Sequence, residues 1–255
     1  MTQKRLRAAL VTGAAKRIGR AIAEDLVADG FSVAIHANGS LAEAEDFVAE
    51  LRQKGHRAVA IKADLAKIDE TAGLVAQACA ALGPIDLLVN NASIFLEDSL
   101  RKFDAAVWDE HFAVHVRAPS ILAAKFAEQL PEAHEGLIVN IIDQRVWALR
   151  PSFYSYTLSK SALWTATQTM AQALAPRIRV NAIGPGPSVP SERQLQEDFQ
   201  AQVAALILKR GPELEEFGRT IRFLFETPSI TGQMIALDGG QHLAWQTPDV
   251  LEIKE

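Results

Sequence analysis

The sequence predicts an α/β fold: one doubly wound sheet of seven parallel strands, flanked by helices on both faces. Three observations predict it. Seven short runs are nearly continuous in Ala, Val, Ile and Leu, as in strands buried on both faces. Longer amphipathic stretches separate these runs, at the spacing of repeated strand–helix–strand units. No linker, low-complexity tract or internal repeat breaks the alternation over 255 residues, so residues 1–255 read as a single domain.

The strands are expected at 8–13, 32–37, 58–64, 85–92, 136–143, 178–186 and 233–240. Between them, patterns such as RIGRAIAEDLVADG and LAEAEDFVAELRQKG are helical and close on a glycine, the residue that best adopts the left-handed helix end. One segment departs from this rhythm. Residues 187–211, polar and then apolar, follow the sixth strand at the sheet edge where open α/β folds bind ligands. Two readings stand: a lid over a substrate, or an ordinary surface helix.

Composition narrows the function. Hydrophobic residues make up 49% and charged residues 22%, enough for a large core and unlike disordered or fibrous chains. A formal charge of −5 argues against nucleic acid as a partner, because phosphate binding wants a basic surface. The single cysteine, Cys79, reads as a buried structural thiol. No cysteine–histidine cluster surrounds it, so no metal site is expected. The N-terminal stretch is too short in apolar residues for a signal peptide, and no window reaches the roughly 18 apolar residues of a spanning helix. A soluble, cytoplasmic protein without a membrane partner is expected.

The first strand runs into VTGAAKRIGRAIAEDL. Gly13 permits a tight turn, and Gly19 lets the helix approach strand and phosphates closely. The helix N-terminus then presents N–H groups and a positive dipole end to a pyrophosphate. At the end of the second strand, where NAD-binding folds carry an acid for the adenosine ribose, the chain reads His36-Ala37-Asn38-Gly39-Ser40. A 2′-phosphate is tolerated without that acid, and Lys16 and Arg17 lie in the turn to meet it. This favours NADP(H), with NADPH preferred over NADH; the plainer reading leaves Lys16 and Arg17 as solvated turn residues.

TGAAKRIG, ADL after the third strand, NNAS after the fourth, Tyr156-x-x-x-Lys160, GPGPS after the sixth and DGG near the end occur in this order over the whole chain. The set resembles the short-chain dehydrogenase/reductase family, whose fold is Rossmann-like. Within it, Arg17 in the glycine turn, Ser93 and Phe95 in NNASIF, and Asp143 thirteen residues before Tyr156 are similar to the pteridine reductase branch. The resemblance implies that Tyr156 donates a proton to the reduced centre. Lys160, one helical turn on, would bind the nicotinamide ribose and lower the tyrosine pKa from about 10. It assigns Gly13, Arg17, Ile18, Gly19, Asn38, Ser40, Asp64, Leu65, Asn91, Ala92 and Ser93 to the dinucleotide. Pro185, Gly186 and Ser188 would line the path of the nicotinamide. Ser93, Phe95, Asp143 and Tyr156 would face the substrate, Phe95 stacking on a flat ring. Homotetramers are common in the family, and the C-terminal DGGQHLAWQTPDV would reach a neighbour.

Most members place serine where Asp143 stands. A ketone needs only a hydroxyl donor, whereas an ionised carboxylate only accepts. A carboxylic acid becomes useful when a ring nitrogen must receive a proton, as in a pterin C=N. The alternative is that Asp143 merely caps a loop. Two departures stand beside this. His115 occupies the place of a family asparagine, either as a relay or as a buried histidine without a part in the chemistry. Asn38-Gly39-Ser40 lacks the arginine often found beside the 2′-phosphate, leaving Arg17 and Ser40 that task. Three functions remain: an NADPH-dependent reductase of a pterin-like C=N substrate, a reductase of another carbonyl compound, and a non-catalytic NADP(H)-binding regulator.

Overall fold

In the computed structural model, residues 6–190 and 195–246 are described. Seven strands form one parallel sheet: β1 (Ala8–Val11), β2 (Ser32–Ala37), β3 (Ala58–Lys62), β4 (Leu87–Asn90), β5 (Gly136–Ile141), β6 (Ile178–Pro185) and β7 (Met234–Leu237). Their order is β3-β2-β1-β4-β5-β6-β7, in register from Val11 against Ile35 and Val89 to Asn90 against Asn140. Each expected strand is present, and most end earlier at the carboxyl side. There Thr12-Gly13, Asn91-Ala92 and Ile142-Asp143 leave the ladder to build loops.

The two faces of the sheet follow from the two-residue period of a strand. Ala9, Val11, Leu87, Val89, Leu137 and Val139 point to one face, where Ile22 and Leu26 of α1 (Arg17–Ala28), Phe47 of α2 (Leu41–Gln53) and Phe217 and Ile221 of α8 (Leu214–Glu226) cover them. Leu10, Leu88, Ile138 and Val180 point to the other. There they meet Leu74 of α3 (Ile68–Leu82), Leu122 and Phe126 of α5 (Ala118–Gln129) and Ala171 of α6 (Tyr154–Leu174). With apolar layers on both sides, the strands need continuous apolar sequence, which is what the runs of Ala, Val, Ile and Leu supply.

α4 (Ala105–Phe112) continues into α5 through a π turn over Ala113–Arg117. Ala118 donates to the Ala113 carbonyl five residues back, instead of the usual four. Pro119 accounts for the widening: it has no N–H for the His115 carbonyl, and in an ordinary helix its ring would press on that carbonyl. α7 (Gln196–Ala204) occupies part of the 187–211 segment and buries none of its residues; positions 191–194 lie outside the described residues. The segment is anchored beyond α7 by buried Leu206 and by the Leu208 N–H, which donates to the Gly239 carbonyl at 3.0 Å. Trp245 is exposed, and the remainder of the C-terminal segment expected to reach a neighbour, from 247 on, lies outside the described residues.

Candidate active site

The strand order reverses between β1 and β4, and crevices at such points, off the carboxyl ends, are where open parallel sheets hold ligands. Thr12 and Asn91 tie the two strand ends together. Thr12 Oγ1 accepts the N–H groups of Asn91 and Ala92 at 2.9 and 3.0 Å. Asn91 Nδ2 donates to the carbonyls of Thr12 and Gly13 at 2.9 and 3.0 Å. α1 packs against this knot so closely that a methyl group at Gly19 would lie 2.3 Å from the Gly13 oxygen and 2.5 Å from Asn91 Nδ2. Gly13, at φ +62°, has no room either, since a Cβ would meet Ala92 Cα at 2.9 Å.

The result is a cleft of about 400 Å³ lined by Gly13, Arg17, Ile18, Gly19, Asn38, Ser40, Asp64, Leu65, Asn91, Ala92 and Ser93. A backbone cradle with no side chain between helix N-terminus and strand fits a pyrophosphate. Tyr156, Lys160, Pro185, Gly186 and Ser188 do not line this cleft. Pro185 ends β6, and Gly186 lies so close to Asp238 that a Cβ would approach its Cα to 2.6 Å. Ser188 sits on the loop that follows.

Two residues of this region adopt roles the sequence does not announce. His36 is buried, its Nδ1 accepting the Gly13 N–H at 3.1 Å while Nε2 donates to the Ala63 carbonyl at 3.0 Å. Burial pushes its pKa down, so it is a neutral brace between the glycine turn and the end of β3. Arg17 sits at φ +53°, a conformation that costs a side-chain-bearing residue about 1–2 kcal/mol. Its guanidinium donates to the carbonyls of Val189 and Pro190 at 3.1 and 3.0 Å, clamping the loop after β6 onto the turn. Lys16 is paired with Glu43 at 2.6 Å, both exposed.

Tyr156 and Lys160 lie in the first two turns of α6, both buried. The Tyr156 hydroxyl donates to Asp143 Oδ2 at 3.0 Å. Asp143 Oδ1 accepts the Arg145 N–H at 2.8 Å and caps the short 3₁₀ turn Gln144–Val146. One oxygen of Asp143 thus caps the turn, and the other meets the tyrosine hydroxyl. Lys160 Nζ donates to the Ile141 carbonyl at 2.9 Å and lies 5.7 Å from the centre of the Tyr156 ring. Burial lowers the Lys160 pKa to about 8, with Asp143 pulling the other way. The expected lowering of the tyrosine pKa is not what the geometry gives. Burial, followed by the charge and hydrogen bond of Asp143, pushes Tyr156 well above 10, and the charge of Arg145 only partly opposes this.

Phe95 packs edge-on against the Tyr156 ring at 4.7 Å between centres and stacks on Phe153 at 4.1 Å. Its flat partner here is therefore a ring of the protein itself. Phe153 and Arg145, neither singled out by the sequence, complete this corner.

His115 is not alone. His111 and His115 are both buried, one helical turn apart, with rings 5.5 Å between centres. Nε2 of His111 accepts the Leu96 N–H at 3.2 Å, and Nε2 of His115 accepts the Ile94 N–H at 3.1 Å. A backbone N–H can only donate, so the proton of each ring is on Nδ1, facing Ser155 Oγ at 2.7 Å and Ser159 Oγ at 2.8 Å. The spacings match: four residues of helix rise about 6 Å, and two residues of extended chain span about 6.6 Å. This two-rung ladder holds the loop that carries Phe95, leaving residue 95 between the rungs. Burial and the nearby Lys160 charge depress both histidines, His115 well below 6.5; Asp98 partly opposes this at His111. The HFAVH pattern, two histidines four apart, was the signal available for His111.

Comparison with known proteins follows the same lines. The family model for short chain dehydrogenase matches residues 7–198. The 3-oxoacyl-(acyl-carrier-protein) reductase FabG of Staphylococcus epidermidis is 33% identical over 242 residues, covering 93% of this chain and 99% of its own. Pteridine reductase 1 of Leishmania tarentolae is 33% identical over 279 residues, covering 92% and 96%. The crystal structure of FolM alternative dihydrofolate reductase 1 from Brucella canis, complexed with NADP, superposes with a TM-score of 0.94 at 60% identity, covering 98% of each chain.

Two outcomes are expected from the buried bases. Lys160 titrates at about 8 when folded against 10.5, so at pH 7 it opposes folding by about 3 kcal/mol at 1.36 kcal/mol per unit. Between those values the unfolded chain holds the extra proton, and stability rises with pH. Lys160→Met should therefore raise Tm at pH 7, with a gain that fades toward pH 10.5; an equal gain at both pH values would contradict this. For His115 the unfolded chain also takes the proton first, and stability is lost as pH falls below 6.5. His115→Asn should make the drop in Tm from pH 7 to pH 5, read by calorimetry, shallower than in the wild type.

Proposed function

Because the chain belongs to the short-chain dehydrogenase/reductase family and is an oxidoreductase of that kind, we propose that it is an NADPH-dependent reductase of a pterin-like C=N substrate. The observation that carries the reading is the 3.0 Å hydrogen bond from Tyr156 to Asp143, with Phe95 against the same tyrosine ring. NADP(H) is supported by the absence of an acid at the end of β2 and by the NADP held in the FolM structure. The cofactor, when bound, supplies hydride to the ring carbon of the C=N bond.

The chain's own residues handle the proton. Tyr156 stands as donor to the neighbouring nitrogen. Asp143, a carboxylate while it accepts that hydroxyl, then takes a proton from solvent and passes it to the tyrosine oxygen. The raised pKa of Tyr156 keeps it protonated before reaction. Lys160 supplies positive charge beside the ring when a proton leaves it. His111 and His115 act on this chemistry only through position, by fixing the Ser93–Leu96 backbone. The FabG relative keeps a second reading open, reduction of a carbonyl compound.

The test follows NADPH oxidation with 7,8-dihydrobiopterin, folate and simple ketones, with NADH as control. Turnover of the pterins is expected, reduced about 10²–10⁴-fold by Asp143→Ser and abolished by Tyr156→Phe. Ketone turnover alone, or full pterin activity in Asp143→Ser, would overturn the reading. A cytoplasmic homotetramer belongs to the same reading; its assembly is supported by Leu158, Ala162 and Ala166 of α6, apolar and only half-buried. Light scattering should give four times the chain mass of 27.7 kDa; the mass of one chain would rule the assembly out.

A further inference from the structure

Arg145 lies in the 3₁₀ turn that follows Asp143, and its N–H bond to Asp143 Oδ1 at 2.8 Å fixes where its side chain departs. The guanidinium carbon sits 5.6, 5.3 and 5.8 Å from the ring centres of Phe95, Phe153 and Tyr156, the range of a cation over a ring. Aromatic faces satisfy its charge but not its donors. Nε and Nη1 are buried and have no hydrogen-bond partner among the described residues. Neither nitrogen bonds to Asp143, whose oxygens take the turn N–H and the Tyr156 hydroxyl. An arginine cannot shed its charge to escape this.

A second observation falls on the same corner. Phe153 adopts φ +55°, rare for an aromatic residue and characteristic of ligand sites when the surroundings hold it. Here they do: its N–H donates to the Asp98 carbonyl at 3.0 Å, and its own carbonyl accepts from Thr157 N and Oγ1 at 2.9 and 2.8 Å. The strained backbone of Phe153 and the unspent donors meet at one corner, with the guanidinium carbon 5.3 Å from the Phe153 ring and 5.8 Å from that of Tyr156. Phe95, which packs beside the guanidinium, is 39% exposed, so on its pinned backbone it is the side chain placed to turn aside for a ligand.

We propose that Arg145 is a specificity-determining residue, whose free N–H groups take the ring carbonyl or ionised amide oxygen of a flat heterocycle. The inference rests on the heterocycle reading above and narrows it to lactam-bearing rings. A site with donors built for an oxygen discriminates strongly against an analogue that lacks it, because the donors are then left unpaired.

The test is calorimetric binding to the NADP⁺-loaded protein of pterin and of 2-aminopteridine, the same ring without its oxygen. The wild type should bind pterin at least tenfold tighter, and Arg145→Met should bind the two equally. Arg145→Lys, with charge but no planar donor fork, should recover part of the preference. The Tm of Arg145→Met should equal or exceed that of the wild type, whereas a merely structural arginine would lower it. No preference in the wild type, or a preference kept by Arg145→Met, overturns the assignment. Turnover is read separately. Binding preference without pterin turnover sinks the reductase reading and leaves Arg145 standing; turnover without preference does the reverse.

Discussion

The knot between Thr12 and Asn91 is the constraint on which the rest of the site is built. It joins two strands that are neighbours in the sheet but 79 residues apart in the chain, at the one place where the strand order reverses. Every backbone group it satisfies is one that leaving the ladder would have orphaned. Because Asn91 Nδ2 reaches over to the Gly13 oxygen, the helix beyond must pass without a side chain, and Gly19 follows from that. A second polar seam lies beneath it. Asn90 donates to Asn140 and Asn140 to Thr167, both at 2.8 Å and buried, tying β4 and β5 to α6, which carries Tyr156 and Lys160.

Above these seams, charge is arranged against solvation. Lys160 and Tyr156 are buried, and a carboxylate and a guanidinium complete the group. In water such a cluster would relax; here two cations flank the tyrosine ring and an anion holds its hydroxyl. Low local polarity magnifies each of these influences. Burial is the first cause that raises the tyrosine pKa, and Asp143, hydrogen-bonded to the hydroxyl, pushes it the same way. Lys160, committed to the Ile141 carbonyl, acts on it through space.

Much of this was legible in the sequence because it is periodic or local. Nearly continuous apolar runs marked strands buried on both faces, and the residues expected around the dinucleotide turn line one cleft. Tyr156, Lys160 and Asp143 were marked by the resemblance to the family, since a tyrosine and a lysine four apart would by themselves read as one face of a helix. What was illegible depends on geometry that pattern does not carry. The π turn arises from how Pro119 meets a carbonyl four residues earlier. The left-handed backbone of Arg17 and Phe153 has no marker in residue type, since glycine is the residue that advertises it. Arg145 is one of many arginines until its neighbours are known to be three aromatic rings. Ring tautomers at His111 and His115 emerged only when both nitrogens had partners.

The histidine ladder also limits how this protein can vary. Its rungs run from 94 and 96 through 111 and 115 to 155 and 159, so three separate segments share one vernier. Inserting or deleting a residue within any one of them would misalign at least one rung and could not be mended by a substitution elsewhere. The stretches of chain between the segments carry no such restriction. Length variation should accumulate in those connections, while the three short segments keep their length as a set.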